Sequence, residues 1–329
     1  MKILIAGGAG YIGATVASAC IDAGHEPVII DDLSTGVEAF TTGRAFVRGD
    51  IADAAVVDKV FADHPDIAAT VHCAAYIVVP ESVAEPLRYY DNNVAKTVAF
   101  MEHLRRNGCR RVLFSSSASV YAPAEDLSVT EQSPLAPGSP YARTKAMVEQ
   151  ILADAAAAGE IDAVSLRYFN PIGADPQLRT GQQLAEPSHA LGRLLSSQRS
   201  GGTFTITGTD WPTRDGTGLR DYIHVWDLAR AHAHAVERFD SLVDNPGHYA
   251  VLNVGTGRGT TVRELVAAFT ETAGAVDVTE GPPRPGDVAG AYARVERAQA
   301  ALGWAAELTV ADGIRDALAW LAVRDGRVS

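Results

Sequence analysis

The 329-residue chain has only three cysteines, Cys20, Cys73 and Cys109, and no two of them form a CxxC pair. An odd, scattered set excludes a disulfide framework and a structural zinc site, and implies free thiols in a reducing, cytoplasmic setting. Basic residues are also scarce: 28 Lys and Arg face 40 Asp and Glu, a formal charge of -12. That balance excludes a counterion-displacing nucleic-acid binder, which needs a basic face. Any anionic ligand must then be held by a few local cations or by backbone N–H groups. No apolar run approaches the roughly 18 residues of a membrane span. The opening MKILIAGGAG breaks at once into glycine, so it reads as a strand and a turn, not as a signal peptide or a span.

What remains is an ordinary globular composition, 47% hydrophobic and 21% charged, in a chain longer than a single core comfortably supports. Short β-branched runs at 2–6, 27–31, 45–48, 70–73, 111–115 and 163–168 alternate with helical spacing at 11–23, 54–62, 87–106 and 141–158. This rhythm predicts an α/β fold, a Rossmann-type doubly wound parallel sheet covered on both faces. After Asn170-Pro171 the rhythm fails and turn-rich segments follow. Residues 1–170 are therefore expected to form a dinucleotide-binding domain and 171–329 a smaller C-terminal substrate-binding domain. Part of the second half, near 222–256, is expected to pack back on the first.

Three clusters carry chemistry. Gly7, Gly10 and Gly13 stand at GxxGxxG spacing between the first strand and the first helix. Glycine there lets backbone approach a pyrophosphate, and the helix N-terminus supplies N–H groups and partial positive charge. The second strand ends in Asp31-Asp32, carboxylates suited to adenosine ribose hydroxyls and hostile to a 2′-phosphate, so the expected cofactor is NAD. Tyr141 and Lys145, at i and i+4, face one way on a helix. A free phenol titrates near ~10. A neighbouring ammonium and a positive nicotinamide would favour phenolate, making Tyr141 a base for a substrate hydroxyl. Ser115, Ser116 and Ser117 follow the strand RVLFS, where doubly wound sheets bind ligands, and Ser117 is the candidate catalytic hydroxyl.

Taken with GDI at 49–51, YYDNNV at 89–94, SPYARTKAMVEQIL, LRYFNPIGA, DGTGLRDYIHVWDLA and PRPGD, these strings resemble the extended short-chain dehydrogenase/reductases. Within them, the chain is similar to the UDP-glucose 4-epimerase family. The resemblance implies a redox-neutral inversion at C4′ of a UDP-hexose through a 4-keto sugar, with Lys145 holding the cofactor ribose, in a homodimer. It implies cofactor contacts from Tyr11, Ile12, Thr35, Gly36, Asp50, Ile51, Cys73, Ala74, Ala75, Asn92, Ser115 and Tyr168 beside the glycines, aspartates and the Tyr/Lys pair. It implies UDP-sugar contacts from Asn170, His189, Thr205, Arg220, Arg284, Asp287 and Ala291, with Ser117 and Tyr141 at the sugar.

Departures from that pattern are informative. Ile77 stands where some members carry a phosphate-side Lys, and Thr207 replaces an aromatic near the uracil. Ala291 occupies the position that lines the sugar's C2 side, where a small residue implies room for an N-acetyl group. Epimerisation of a UDP-pentose or uronate is the nearest alternative. A 4,6-dehydratase is disfavoured because Ser117-Ala118-Ser119 lacks the acid that elimination needs, and a silent NAD sensor because the Tyr/Lys pair is intact. No histidine spacing supports a metal. His224, His232 and His234 read as structural residues.

Overall fold

Strand β1 (Lys2–Ala6) lies inside a seven-stranded sheet, with neighbours on both sides. The other strands are β2 (Glu26–Asp31), β3 (Ala45–Arg48), β4 (Ile67–His72), β5 (Arg111–Ser115), Asp162–Tyr168 and Tyr249–Val254. The computed structural model describes residues 1–185, 187–283 and 288–328. Across the sheet the order is Tyr249–Val254, Asp162–Tyr168, β5, β4, β1, β2, β3, and every pairing is parallel. A parallel sheet hides both faces, and alternation divides β1 accordingly. Ile3 and Ile5 join a core with Val16 and Ala17 of helix α1 (Tyr11–Asp22) and with Leu228 and Ala235 of helix Val225–Glu237. Leu4 and Ala6 face the opposite core, with Val57 of α2 (Ala54–Asp63), Phe100 of Lys96–Arg106 and Val148 of Pro140–Ala157.

The chain thus forms the doubly wound α/β sheet, with β1 pairing to β2 on one side and β4 on the other. The strand order reverses there, and the crevice beyond the carboxyl ends at such a reversal is where these sheets take ligands. Helix Val225–Glu237 and strand Tyr249–Val254 come from the second half of the chain yet belong to these layers. A further, smaller core is built from the second half of the chain. It has the parallel pair Thr203–Thr207 and Asp277–Gly281, with Leu191, Leu194, Phe204, Leu265, Phe269 and Ile314 packed together.

One helix differs from the periodic expectation. Where 87–106 reads as a single helix, Pro86–Tyr90 passes through a π-helical turn, Asp91–Ala95, before Lys96–Arg106. Such turns concentrate at functional sites. This one sends the Asn93 side chain inward, where it accepts from Tyr76 N–H at 2.9 Å and donates to the Tyr76 carbonyl at 3.0 Å and Thr144 Oγ1 at 3.1 Å. Among the described residues, no helix is long and apolar enough to cross a membrane.

Candidate active site

Four strands end on one edge, and each feeds one group of functional side chains. β1 runs into the glycine turn, β4 into Cys73–Ala75, β5 into Ser115–Ser117, and Asp162–Tyr168 into Phe169-Asn170. Backbone geometry explains the turn. Gly7 has φ +78°, and a Cβ there would lie 2.6 Å from Ala74 N. A Cβ on Gly13 would lie 2.2 Å from the Gly7 carbonyl. Helix α1 starts at Gly10 with no side-chain cap and no acidic residue in its first turn, which leaves its N-terminal N–H groups open to an anion. These features fit a dinucleotide pyrophosphate.

The two aspartates divide their work. Asp31 is buried, and its carboxylate accepts from Ala9 N–H at 2.9 Å and Leu33 N–H at 2.8 Å, so it braces the glycine turn. Burial raises its pKa and those N–H groups oppose the rise. Asp32 is exposed and accepts from Ser34 N–H at 2.8 Å, with an oxygen left for a ribose hydroxyl. Further along this edge, Asp50 bonds Lys96 Nζ at 2.5 Å, and Asn92 donates to Asn93 at 3.0 Å. Ile51 is buried, whereas Thr35 is exposed and its carbonyl accepts from Gln183 at 3.0 Å. Tyr11 donates its hydroxyl to the Gly173 carbonyl at 2.7 Å.

The reacting group is built on helix Pro140–Ala157. Ser139 caps it, accepting from Ala142 N–H at 3.2 Å, and Pro140 opens it with a pre-set backbone angle. Tyr141 and Lys145 are both buried on its inner face. The Lys145 ammonium donates to the Ser115 carbonyl at 2.8 Å and lies 4.7 Å from the Phe114 ring centre and 6.0 Å from that of Tyr141. Burial pushes Lys145 down to about 8, against the pull of Cys73 and Glu149. For Tyr141 burial wins: its pKa is raised, and only its hydrogen bond with Ser117 opposes this. The expected lowering rests on positive charge beside the phenol, which a cationic nicotinamide would add to that of the Lys145 ammonium.

Each of the three serines has a different partner. Ser115 meets His232 Nε2 at 2.9 Å and Cys73 Sγ at 3.1 Å, Ser116 donates to Glu149, and Ser117 meets Tyr141. Glu149 extends the 141/145 face by one more turn. It is buried, and Arg167 clamps it through Nε at 2.9 Å and a second guanidinium nitrogen at 2.5 Å. Arg167 continues to Tyr121 at 2.9 Å, and Tyr121 to Asn253 at 2.7 Å. Sequence reasoning passed over Asn93, Glu149 and Arg167. Of these, Glu149 alone left a signal, a carboxylate repeating the four-residue spacing.

The substrate-side residues are less tightly gathered. Arg220 lies in a short strand beside Gly290–Ala293, in register with Ala291, and its guanidinium donates to the carbonyls of Leu219 at 2.7 Å and Ala289 at 3.3 Å. Ala291 and Ala118 both pack against the cluster of Val120, Tyr121 and Phe169, whereas Tyr292 is in register with Ser128. Asn170 pairs with Tyr222 at the sheet edge, and Thr205 meets Thr279 at 3.3 Å. His189 caps helix Ala190–Ser200, with Nδ1 accepting from Gly192 N–H at 3.1 Å, while its buried Nε2 has no partner among the described residues. His189 and Tyr11 line a mostly apolar pocket together with Leu191, Leu195 and Trp320. Arg284 and Asp287 lie outside the described residues.

Two neutral rings set an acid limit on this region. His72 bonds Thr97 at 2.9 Å, and His232 bonds Ser115; burial pushes them down to about 3 and about 4. An unfolded histidine titrates near ~6.5. Below that pH the unfolded chain takes up protons that the native rings refuse. The stability from these rings is whole above pH ~6.5 and is lost as pH falls toward the folded values, by about 1.4 kcal/mol per pH unit for each ring. Between pH 7 and 5.5 the two together should remove about 2.5 kcal/mol. A urea-unfolding midpoint unchanged over that range would contradict it.

Comparison with known proteins places the chain among relatives. Residues 3–255 match the NAD dependent epimerase/dehydratase family. The chain is 43% identical to a UDP-glucose 4-epimerase of Azospirillum brasilense, over 97% of this chain and 91% of that protein. A UDP-glucose 4-epimerase of Stenotrophomonas maltophila, solved with NAD and a formylated UDP-arabinopyranose, superposes with TM-score 0.93 at 36% identity, covering 99% of both chains. One of Bifidobacterium longum, solved with NAD+ and UDP, superposes with TM-score 0.90 at 32% identity, over 99% of this chain and 100% of that one.

Proposed function

Because the chain belongs to the NAD dependent epimerase/dehydratase family, and is an NAD-dependent epimerase, we propose that it interconverts UDP-galactose and UDP-glucose by inverting C4′ through a 4-keto sugar. The observation that carries this reading is the meeting of Tyr141, Lys145 and Ser117 beside an uncapped helix N-terminus at one sheet edge. Gly7, Gly10 and Gly13, the first N–H groups of α1 and Asp32 would hold the cofactor. Bound NAD supplies a reversible oxidation at C4′, which is the chemistry the side chains themselves lack.

Tyr141 takes the proton of the C4′ hydroxyl and later returns it, with Ser117 hydrogen-bonded between phenol and sugar. Lys145, fastened to the Ser115 carbonyl, stays beside the phenol and holds the ribose. Burial of Tyr141 and Lys145 keeps water from the phenol, so the keto sugar is not diverted. Binding comes from the UDP, gripped by Asn170, Arg220, Arg284 and Asp287, because the sugar itself must be free to turn. Incubating the purified protein with UDP-galactose and no added cofactor should yield UDP-glucose at a fixed ratio, read by proton NMR. Unchanged UDP-galactose, even after NAD is supplied, would sink the reading.

Small side chains around the sugar position support a wider range. Ala118, Ala124 and Ala291 pack against one cluster with Phe169, and the strand register turns Ala291 and Tyr292 to opposite sides. An N-acetyl group at C2 is therefore accommodated, and UDP-N-acetylglucosamine should also be epimerised. Ala291→Tyr should remove that activity while sparing UDP-galactose. Inertness of the unmodified protein toward the N-acetyl sugar at high enzyme concentration would refute the claim.

The same reading pairs two copies of the chain. Val83, Leu87, Val98 and Met147 expose apolar surface along the helices between 79 and 157, and a second copy laid against them would cover it.

A further inference from the structure

His232 lies in helix Val225–Glu237, on the far side of β5 from Glu149, and is completely buried. Its Nδ1 is 2.8 Å from the Leu228 carbonyl, one turn earlier in the same helix. A carbonyl only accepts, so Nδ1 carries the ring proton. Burial keeps the ring neutral, which leaves Nε2 bare. The Ser115 hydroxyl, 2.9 Å away, must therefore donate to it. The direction of every other bond at Ser115 follows. Its lone pairs are left to accept from Cys73, 3.1 Å away, and from the Tyr168 phenol. Its carbonyl accepts from Lys145 at 2.8 Å.

We propose that His232 is a positioning residue for the reaction: as a bare-nitrogen acceptor it fixes the Ser115 hydroxyl, and so the strand end whose carbonyl holds Lys145. It touches neither Tyr141 nor the sugar position. It acts through a residue 117 positions away in sequence. Without that acceptor the Ser115 hydroxyl turns toward Cys73 and Tyr168, the end of β5 relaxes, and Lys145 loses its fixed partner. The proposal rests on the reading of Lys145 as the partner of Tyr141.

The test compares His232→Leu, His232→Gln, Ser115→Ala and the Ser115→Ala/His232→Leu pair. The readouts are steady-state kinetics with UDP-galactose, NAD retained per subunit after gel filtration, and the histidine tautomer by 15N NMR. Loss of a buried hydrogen bond of this kind should lower kcat about 10- to 100-fold in His232→Leu, with KM unchanged because the UDP grip is remote. Retained NAD should fall as well. Gln places an amide oxygen near the position of Nε2, and should recover most of the loss. The double variant should be no worse than the worse single, since both remove one bond.

Wild-type kcat in His232→Leu, additive losses in the pair, or an Nε2–H tautomer would each overturn the proposal. Should His232→Leu fail to fold, Gln, Ser115→Ala and the tautomer still decide it. Failure of the wild-type protein to turn over UDP-galactose would instead strike the functional reading, while tautomer and NAD retention still judge His232.

Discussion

Tyr141→Phe is expected to lower turnover by about 10²- to 10⁴-fold while the protein keeps its fold and its NAD. The side chain is buried, and its hydroxyl meets Ser117, so removing one oxygen leaves the packing of the ring intact. What disappears is the acceptor for the C4′ hydroxyl proton. Ser117 cannot replace it, because a serine hydroxyl is far too weak a base at neutral pH. The binding side of the site is untouched: Lys145 still donates to the Ser115 carbonyl, and the glycine turn is remote from the phenol. KM for the UDP-sugar should therefore stay close to wild type as kcat collapses, the pattern of an interaction realised in the transition state. Comparable turnover in the variant would remove Tyr141 from the chemistry.

Glu149→Ala should be the most damaging single change to the folded state. Glu149 and Arg167 are both about 5% exposed and are joined by several hydrogen bonds, with Ser116 on the same carboxylate. Removing one partner strands a buried guanidinium, which costs about 3–5 kcal/mol. Typical domains have only about 5–15 kcal/mol in hand. Little soluble protein, or a urea midpoint far below wild type, is the expected result. Replacing both residues with Leu removes the stranded charge and should restore much of the stability. It should not restore turnover, because the Ser116 hydroxyl then loses its carboxylate and the serine turn is held by its backbone alone on that side. A doubly substituted protein with full activity would show that this ion pair serves the fold alone.

The glycine turn and the parallel sheet were legible in the sequence because both are local. Apolar β-branched runs mark buried strands, and Gly7 and Gly13 stand where only hydrogen fits. The Tyr141/Lys145 pair was legible because a four-residue spacing fixes a shared helix face. Asp31 shows where local reading falls short: the residue was found, yet its carboxylate is taken up first by the Ala9 and Leu33 N–H groups. Asn93 was invisible because a π-turn leaves no periodic mark. Arg167 and His232 were missed because their partners are distant in sequence and close only in the fold. A lone buried histidine gives no hint of the atom it faces.

The most direct test of the account follows the hydrogen on C4′. UDP-galactose carrying deuterium at C4′ is incubated with the purified protein, without added cofactor, and the product is examined by NMR and mass spectrometry. The account predicts UDP-glucose with the deuterium still on C4′ and no exchange with water, because the hydrogen leaves and returns within one closed site. Product with protium from solvent at C4′, or a released keto sugar, would contradict it.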